Sequence, residues 1–162
     1  MSEPTMSGAE RRARVIEQIR TETGIDEVMI ETLVHNFYAR VHDDALIGPI
    51  FAARVTDWDL HLKRMCLFWS SVALASGRYH GQPMPKHLPL PVEAHHFDRW
   101  LELFRQTARD VCPPPAAHLF IDRAGLIAQS LEMGIAAAKG VLLDKGQRFV
   151  TTPADTTSGS DS

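Results

Sequence analysis

The sequence predicts an all-α domain, because its apolar residues recur at helical spacing and no segment alternates convincingly as a strand. A chain of 162 residues, with 44% hydrophobic and 23% charged residues, suits one globular domain with a single core. Prolines and glycines mark the places where helices must stop. We therefore expect four main helices, joined in one place by a Pro-rich loop.

The chain divides into three segments. Residues 1–22 read as a mobile tail followed by a short accessory helix, because Val15, Ile16 and Ile19 alternate there with charged residues. Residues 23–140 hold all the strongly periodic segments and form the predicted domain. Residues 141–162 are expected to be a C-terminal tail with a disordered end, since the last dozen residues offer almost nothing to bury.

The first main helix begins after Asp26, a capping residue, and its apolar positions repeat from Ile30 to Val41. The pair Gly48-Pro49 then predicts a tight connection, after which Phe51 should point inward.

A second main helix, capped by Thr56 or Asp57, should carry a histidine on the same face as its apolar residues. The stripe on this face consists of His61, Met65, Phe68, Trp69 and Val72. The third helix is predicted from about Val92 to Val111, and three prolines separate it from the fourth, which starts near Pro115.

The charge and cysteine content exclude several classes of protein. A net charge of -3 does not favour nucleic acid or an anionic membrane as a partner. The N-terminus has no signal-peptide pattern, and no apolar run is long enough to span a bilayer. Cys66 and Cys112 lack the spacing of a disulfide framework or a thiolate zinc site. A reducing, cytoplasmic location fits best.

Four polar or aromatic residues could together serve an iron porphyrin, namely Tyr38, His61, His87 and Trp100. Such a cofactor needs one neutral imidazole on its proximal side, an apolar slot, and hydrogen-bond donors above the free coordination position. His87 lies within the Pro-rich loop, where the residues alone favour a solvated loop histidine over an iron ligand. Sequences typical of serine hydrolases, zinc enzymes and nucleotide-binding proteins are absent.

Five segments together resemble group III truncated haemoglobins. They are residues 36–41 (NFYARV), 48–51 (GPIF), 68–69 (FW), 79–88 (YHGQPMPKHL) and 99–104 (RWLELF). Their order and spacing are retained over roughly residues 25–135, which makes the likeness much more specific than any single motif.

The resemblance implies a truncated globin-like fold, in which a two-over-two sandwich of helices encloses haem b, iron protoporphyrin IX. It implies that His87 is the proximal iron ligand. Tyr38, His61 and Trp100 would form the distal side and bind the ligand, although His61 could instead act as a gate or bind the iron itself. Phe51, Met65 and Trp69 would wall the pocket, and core packing explains Trp69 equally well. The other histidines are expected at the surface.

Such a protein would bind oxygen, nitric oxide or peroxide. Three donors above one ligand suit detoxification or redox chemistry better than bulk oxygen transport, because they would slow ligand release. Nitric oxide dioxygenase or peroxidase-like turnover would need an external, unidentified electron donor. The alternatives are a non-catalytic gas-binding or sensing module and a haem-free helical interaction domain.

Overall fold

The computed structural model describes residues 5, 7–77, 79, 81, 90–144 and 146–151. Within these residues the chain forms six helices and no strand. The helices are α1 (Gly8–Thr23), α2 (Glu27–Asp43), α3 (Gly48–Arg54), α4 (Trp58–Leu74), α5 (Ala94–Val111) and α6 (Pro114–Ala138). The predicted all-α class is confirmed, and the four predicted main helices are α2, α4, α5 and α6.

Short polar side chains start three of the helices. Ser7, Asp26 and Asp57 each accept a hydrogen bond from the backbone N–H three residues further on, which satisfies a donor that the helix leaves unpaired. Of the two residues predicted to cap α4, the structure uses Asp57. Gly24 ends α1 in the left-handed region with φ of 72° and donates its N–H to the carbonyl of Arg20.

The Gly48-Pro49 pair starts a helix, where the sequence predicted only a tight connection. Proline is compatible with the first turn of a helix, because the N–H that it lacks would have no partner there. A Cβ atom at Gly48 would lie 2.8 Å from the carbonyl oxygen of Val41 and 3.0 Å from that of His42. Glycine therefore allows α3 to start directly against the last turn of α2.

The four main helices form two packed pairs. Helix α2 contacts α4 and α5 contacts α6, and the pairs meet through α2 with α5 and α4 with α6. One aromatic ring from each main helix enters the shared core: Phe37, Trp69, Phe104 and Phe120. Trp69 stacks on Phe104 at a centroid distance of 4.9 Å, and Phe37 meets Phe104 edge-on at 5.3 Å. Aromatic pairs of this geometry each contribute about 1 kcal/mol beyond their buried area.

Helix α1 lies on the outside of this arrangement. It contacts α4 and α6 but buries none of its residues completely. Ile19 is half-buried and packs against the core, while Val15 is 48% exposed. The structure places α1 beside the main helices, and its accessory role stays a prediction.

Part of the predicted C-terminal tail packs onto the domain. Residues 141–151, of which 145 is not described, follow α6, and we call this segment the C-terminal strap. Its Phe149 is only 2% exposed and joins Val92, Phe97 and Ile135 in a second apolar cluster. The globular part of the chain therefore continues beyond residue 140, where the sequence analysis had placed its end.

None of the six helices within the described ranges is long and apolar enough to cross a bilayer.

Candidate functional site

A cavity of about 360 Å³ lies between the two helix pairs. Its lining comes from five of the helices, α2 to α6, and from the chain just before α5. Most of the lining is apolar, and a few polar side chains point to the same space. A mainly apolar cavity of this size with a few convergent polar groups is typical of a small-molecule or cofactor site.

Six of the seven predicted site residues line this one cavity. They are Tyr38, Phe51, His61, Met65, Trp69 and Trp100. His87, the predicted proximal ligand, lies outside the described residues, as does most of the 79–88 segment. The described part of the cavity thus contains the predicted distal set and the predicted walls, and their roles stay predictions.

Tyr38 and His61 stand side by side in the wall of the cavity. Tyr38 lies on α2 and is 7% exposed, and its ring meets the imidazole of His61 from α4 edge-on at a centroid distance of 5.0 Å. Phe51 from α3 packs against the other part of the phenol ring at 5.7 Å. Three helices therefore restrict the orientation of the Tyr38 side chain.

Burial keeps the Tyr38 hydroxyl protonated. Loss of solvent raises the pKa of Tyr38 well above its usual range, and negative charge on the nearby Cys66 thiol would raise it further. A protonated phenol can donate a hydrogen bond into the cavity. Tyr38 therefore has the chemistry of a donor to a ligand that carries partial negative charge.

The sequence analysis missed Trp58, the first residue of α4. Its indole meets His61 edge-on at a centroid distance of 5.6 Å and Tyr38 at 6.1 Å, so it packs against both polar residues. Trp58 lies three residues before His61, which places the two side chains on the same side of a helix. That spacing is the signal in the sequence that points to Trp58.

The two tryptophans of the predicted site pack among the aromatic residues of the core. Trp100 stacks on Phe104 at 5.6 Å and meets Phe37 edge-on at 5.5 Å. Trp69 is 3% exposed and also stacks on Phe104, so the two tryptophans share this neighbour. Both tryptophans pack in or against the core and also line the cavity. For Trp69, core packing and a place in the pocket wall are therefore compatible.

The described lining fits a haem group. A flat apolar ring needs apolar walls, and the two carboxylates at its edge need cations or solvent. Arg54 and Arg64 are exposed residues that also line the cavity, which places positive charge at its mouth. Tyr38 and His61, whose side chains can donate hydrogen bonds, also line the cavity.

His96 corrects the expectation that the other histidines lie at the surface. It is half-buried and lines the cavity, and its Nδ1 accepts a hydrogen bond from the backbone N–H of Glu93 at 3.0 Å. Burial and the neighbouring His95 lower the pKa of His96. His35, His42, His95 and His118 are exposed. Among the described side chains, no three His, Cys, Asp or Glu converge to hold a metal ion.

Two helix pairs closed around an apolar cavity, with a buried tyrosine beside a histidine in its wall, define a globin of shortened form. The chain belongs to the family of bacterial-like globins, whose family model matches residues 21–118. The resemblance to truncated haemoglobins is thereby confirmed, and with it the truncated globin-like fold.

Known relatives agree with this assignment. The chain is 32% identical to the group 3 truncated haemoglobin of Campylobacter jejuni over 113 residues, which are 67% of this chain and 89% of the relative. It is 30% identical to the group 2 truncated haemoglobin YjbI of Bacillus subtilis over 83 residues, 50% of this chain and 63% of that protein.

The crystal structure of the group III truncated haemoglobin from Campylobacter jejuni is similar to this fold. Its TM-score is 0.61 at 34% identity, and the alignment covers 66% of this chain and 88% of that structure. Membership of the globin family implies haem-based binding of small diatomic ligands. The C-terminal strap lies outside the residues that the family model matches.

Proposed function

We propose that this protein holds haem b with His87 as the proximal iron ligand. It binds oxygen, nitric oxide or peroxide on the opposite side, for detoxification or redox chemistry. The observation that carries the proposal is the pairing of Tyr38 and His61 in the wall of a largely apolar cavity. Haem, when bound, supplies an iron centre that takes up small ligands and exchanges electrons.

The chain's own residues determine how long a ligand stays. The phenol of Tyr38 carries a proton at neutral pH, since its ordinary pKa is about 10 and burial raises the pKa further, so it can donate a hydrogen bond. The indole of Trp100 is a donor only, and it lines the same cavity. If breaking one hydrogen bond to a polar ligand costs about 1.4 kcal/mol, that bond slows release of the ligand about tenfold. Several donors therefore favour retention and turnover over delivery.

Two free cysteines support a cytoplasmic location, which belongs to the same proposal. Cys66 and Cys112 form no disulfide, as is usual in reducing compartments. Turnover there would draw on an external electron donor.

The positive charge of Arg54 and Arg64 at the mouth of the cavity supports the placement of the haem carboxylates at that edge.

The first test is an absorption titration of the purified protein with haem, in ferric and ferrous forms. We expect a saturating Soret band, which His87→Ala shifts or removes in the ferrous carbonyl complex. The matched control is His118→Ala, because His118 is an exposed histidine on α6. The absence of a Soret band in the wild type would overturn haem binding. An unchanged ferrous carbonyl band in His87→Ala would overturn only the proximal assignment.

The second test addresses turnover. The oxygenated protein is mixed with nitric oxide in a stopped-flow instrument, and the rate of oxidation to the ferric form is followed with nitrate as the product. Oxidation much faster than spontaneous oxygen release supports the dioxygenase activity. Oxidation limited by oxygen release would overturn it and favour the non-catalytic gas-binding or sensing module.

A further inference from the structure

The C-terminal strap closes one wall of the cavity from outside. Its Phe149, 2% exposed, packs in one cluster with Val92, Phe97 and Ile135. All three of these neighbours also line the cavity. A single layer of side chains therefore separates Phe149 from the space proposed for haem.

Arg148 of the strap joins the two helices that form this wall. Its Nε donates to both carboxylate oxygens of Glu132 on α6, at 3.0 and 3.1 Å. Its Nη2 donates to the carbonyl oxygen of Ala94, at 3.1 Å, and to Asp98 on α5, at 2.8 Å. Glu132 is only 6% exposed, so its carboxylate depends on these charged partners.

The backbone of the strap completes the same connection. The N–H of Phe149 donates to Glu132 at 2.8 Å, and its carbonyl oxygen accepts from the N–H of Ala94 at 2.7 Å. Ala94 is the first residue of α5, where a helix leaves its N–H groups without internal partners. Thr151 bonds to the Glu93 carboxylate just before that helix. The strap thus fixes the start of α5 against the last third of α6.

We propose that the C-terminal strap is a positioning element for haem, which holds the wall between α5 and α6 closed and so keeps haem from dissociating. This inference rests on the proposed haem binding and names the residues, Arg148 and Phe149, that retain the cofactor. The strap does not belong to the segment shared with the family model, which ends at residue 118.

A purely structural role would make a different prediction. If the strap only added to global stability, its loss would lower the unfolding temperature of the apoprotein without a specific effect on haem. If it holds the cavity wall, its loss must speed haem release more than an equally destabilising change elsewhere does. The rate of haem release, compared with the stability of the apoprotein, separates the two roles.

The experiment measures haem transfer from the loaded full-length protein to excess apomyoglobin, for the variants Arg148→Ala and Phe149→Ala. We expect transfer about tenfold faster than in the wild type, because opening the wall lowers the barrier to release. Arg148→Lys keeps the charge but cannot bridge Glu132, Ala94 and Asp98 with one planar group, so an intermediate rate is expected. Phe149→Leu, which keeps most of the apolar contact, should release haem close to the wild-type rate.

Two controls lie away from this wall. Arg40→Ala removes an ion pair with Asp110, 2.6 Å long, that joins α2 to the other end of α5. Ile25→Ala removes a core side chain that is 1% exposed and lies outside the described lining of the cavity. Ile25→Ala should clearly lower the unfolding temperature of the apoprotein and Arg40→Ala should lower it only slightly, because its ion pair is largely exposed. Both variants should leave the haem transfer rate within about twofold of the wild type.

The outcomes separate the two proposals. A wild-type protein that takes up no haem overturns the proposed function and this inference with it. A wild type that binds haem, with Arg148→Ala and Phe149→Ala releasing it no faster than Arg40→Ala and Ile25→Ala, overturns the inference alone. If Arg148→Ala and Phe149→Ala fail to fold, Arg148→Lys supplies the same comparison. A wild-type rate of haem transfer in that variant would contradict the proposed role of the strap in retaining haem.

Discussion

The imidazole of His61 stands almost perpendicular to the phenol ring of Tyr38, with an interplanar angle of 87° and a centroid distance of 5.0 Å. One ring comes from α2 and the other from α4, so the packing of two helices sets this angle. Trp58 touches both rings. The two polar groups therefore reach the cavity in a fixed relation to each other.

Replacing Tyr38 by phenylalanine should release bound oxygen faster without much loss of stability. The variant keeps the ring and its contacts with His61 and Phe51 but removes the hydroxyl. Losing one hydrogen bond of about 1.4 kcal/mol corresponds to about tenfold faster dissociation. The measurement is the oxygen dissociation rate constant, obtained by displacement with carbon monoxide.

Carbon monoxide is the internal control for that variant. It is a weakly polar ligand, so its own dissociation rate should change much less than that of oxygen. Equal changes for both ligands would mean that Tyr38 acts by steric contact and would contradict a donor role.

Gly48→Ala should destabilise the protein, because the added Cβ would lie 2.8 Å from a backbone oxygen of α2 that cannot move aside easily. A local overpacking of this kind typically costs about 1–3 kcal/mol. Urea unfolding of the apoprotein, followed by circular dichroism, would measure it.

The matched control is Gly125→Ala, on α6, where an added Cβ meets nothing within 4 Å. Alanine is favoured over glycine inside a helix by about 0.5–1 kcal/mol, so this variant should be neutral or more stable. Equal stability of the two variants would show that α3 can move away from α2.

Local signals predicted much of this fold. Asp26 and Asp57 cap the helices that the sequence assigned to them, and the apolar spacing of α2, α5 and α6 predicted which faces are buried. On α4 most of the predicted stripe lines the cavity, whereas the buried positions are Trp69, Ser70, Ala73 and Leu74. Tyr38 and His61 lie on different helices, so only the family resemblance assigned them to a common pocket.

Contacts between distant parts of the chain could not be read from the sequence. Arg148 lies 16 residues from Glu132 and 50 from Asp98, and nothing local to a polar tail indicates such partners. Glu132 lies on the buried face of α6, where a carboxylate is costly unless it is paired. Helix α3 was missed because Gly-Pro is a turn signal as well as a permitted helix start.

The ion pair between Asp44 and Arg99 should make stability depend on pH. Arg99 Nε donates to Asp44 at 2.7 Å, and the Asp44 side chain is 5% exposed. Burial acts to raise the pKa of Asp44, but hydrogen bonds from the N–H of Ile47, from Arg99 and from the N–H of Leu46 outweigh it and hold the pKa below its usual range. Asp44 is therefore more acidic in the folded than in the unfolded state.

The contribution of Asp44 to stability is fully present above the pKa of the unfolded carboxyl, about 3.9. It is lost as the pH falls through the lower pKa that Asp44 has in the folded state. Arg99→Ala should cost about 1 kcal/mol at pH 7, given that the guanidinium is partly exposed, and the difference from wild type should shrink below about pH 4. Arg105→Ala removes the same charge from the exposed side of α5 as a control. A difference that stays constant with pH would contradict this role.

The two cysteines should react slowly in the folded protein. Burial, with smaller contributions from Glu31 and Glu27, raises the pKa of Cys66 to about 11, and burial alone raises that of Cys112 to about 11. The thiolate is the reactive form, so at pH 8 both thiols should react with Ellman's reagent about a hundredfold more slowly than glutathione.

Unfolding in urea should expose both thiols and restore the rate of a free thiol. Cys112→Ser leaves only Cys66, which is half-buried and should be the first of the two to react in the native protein. Labelling of the native wild type at the rate of glutathione would mean that helix α4 opens often enough to expose Cys66. Because Cys66 lies close enough to Tyr38 to affect its pKa, such opening would also disturb the proposed donor.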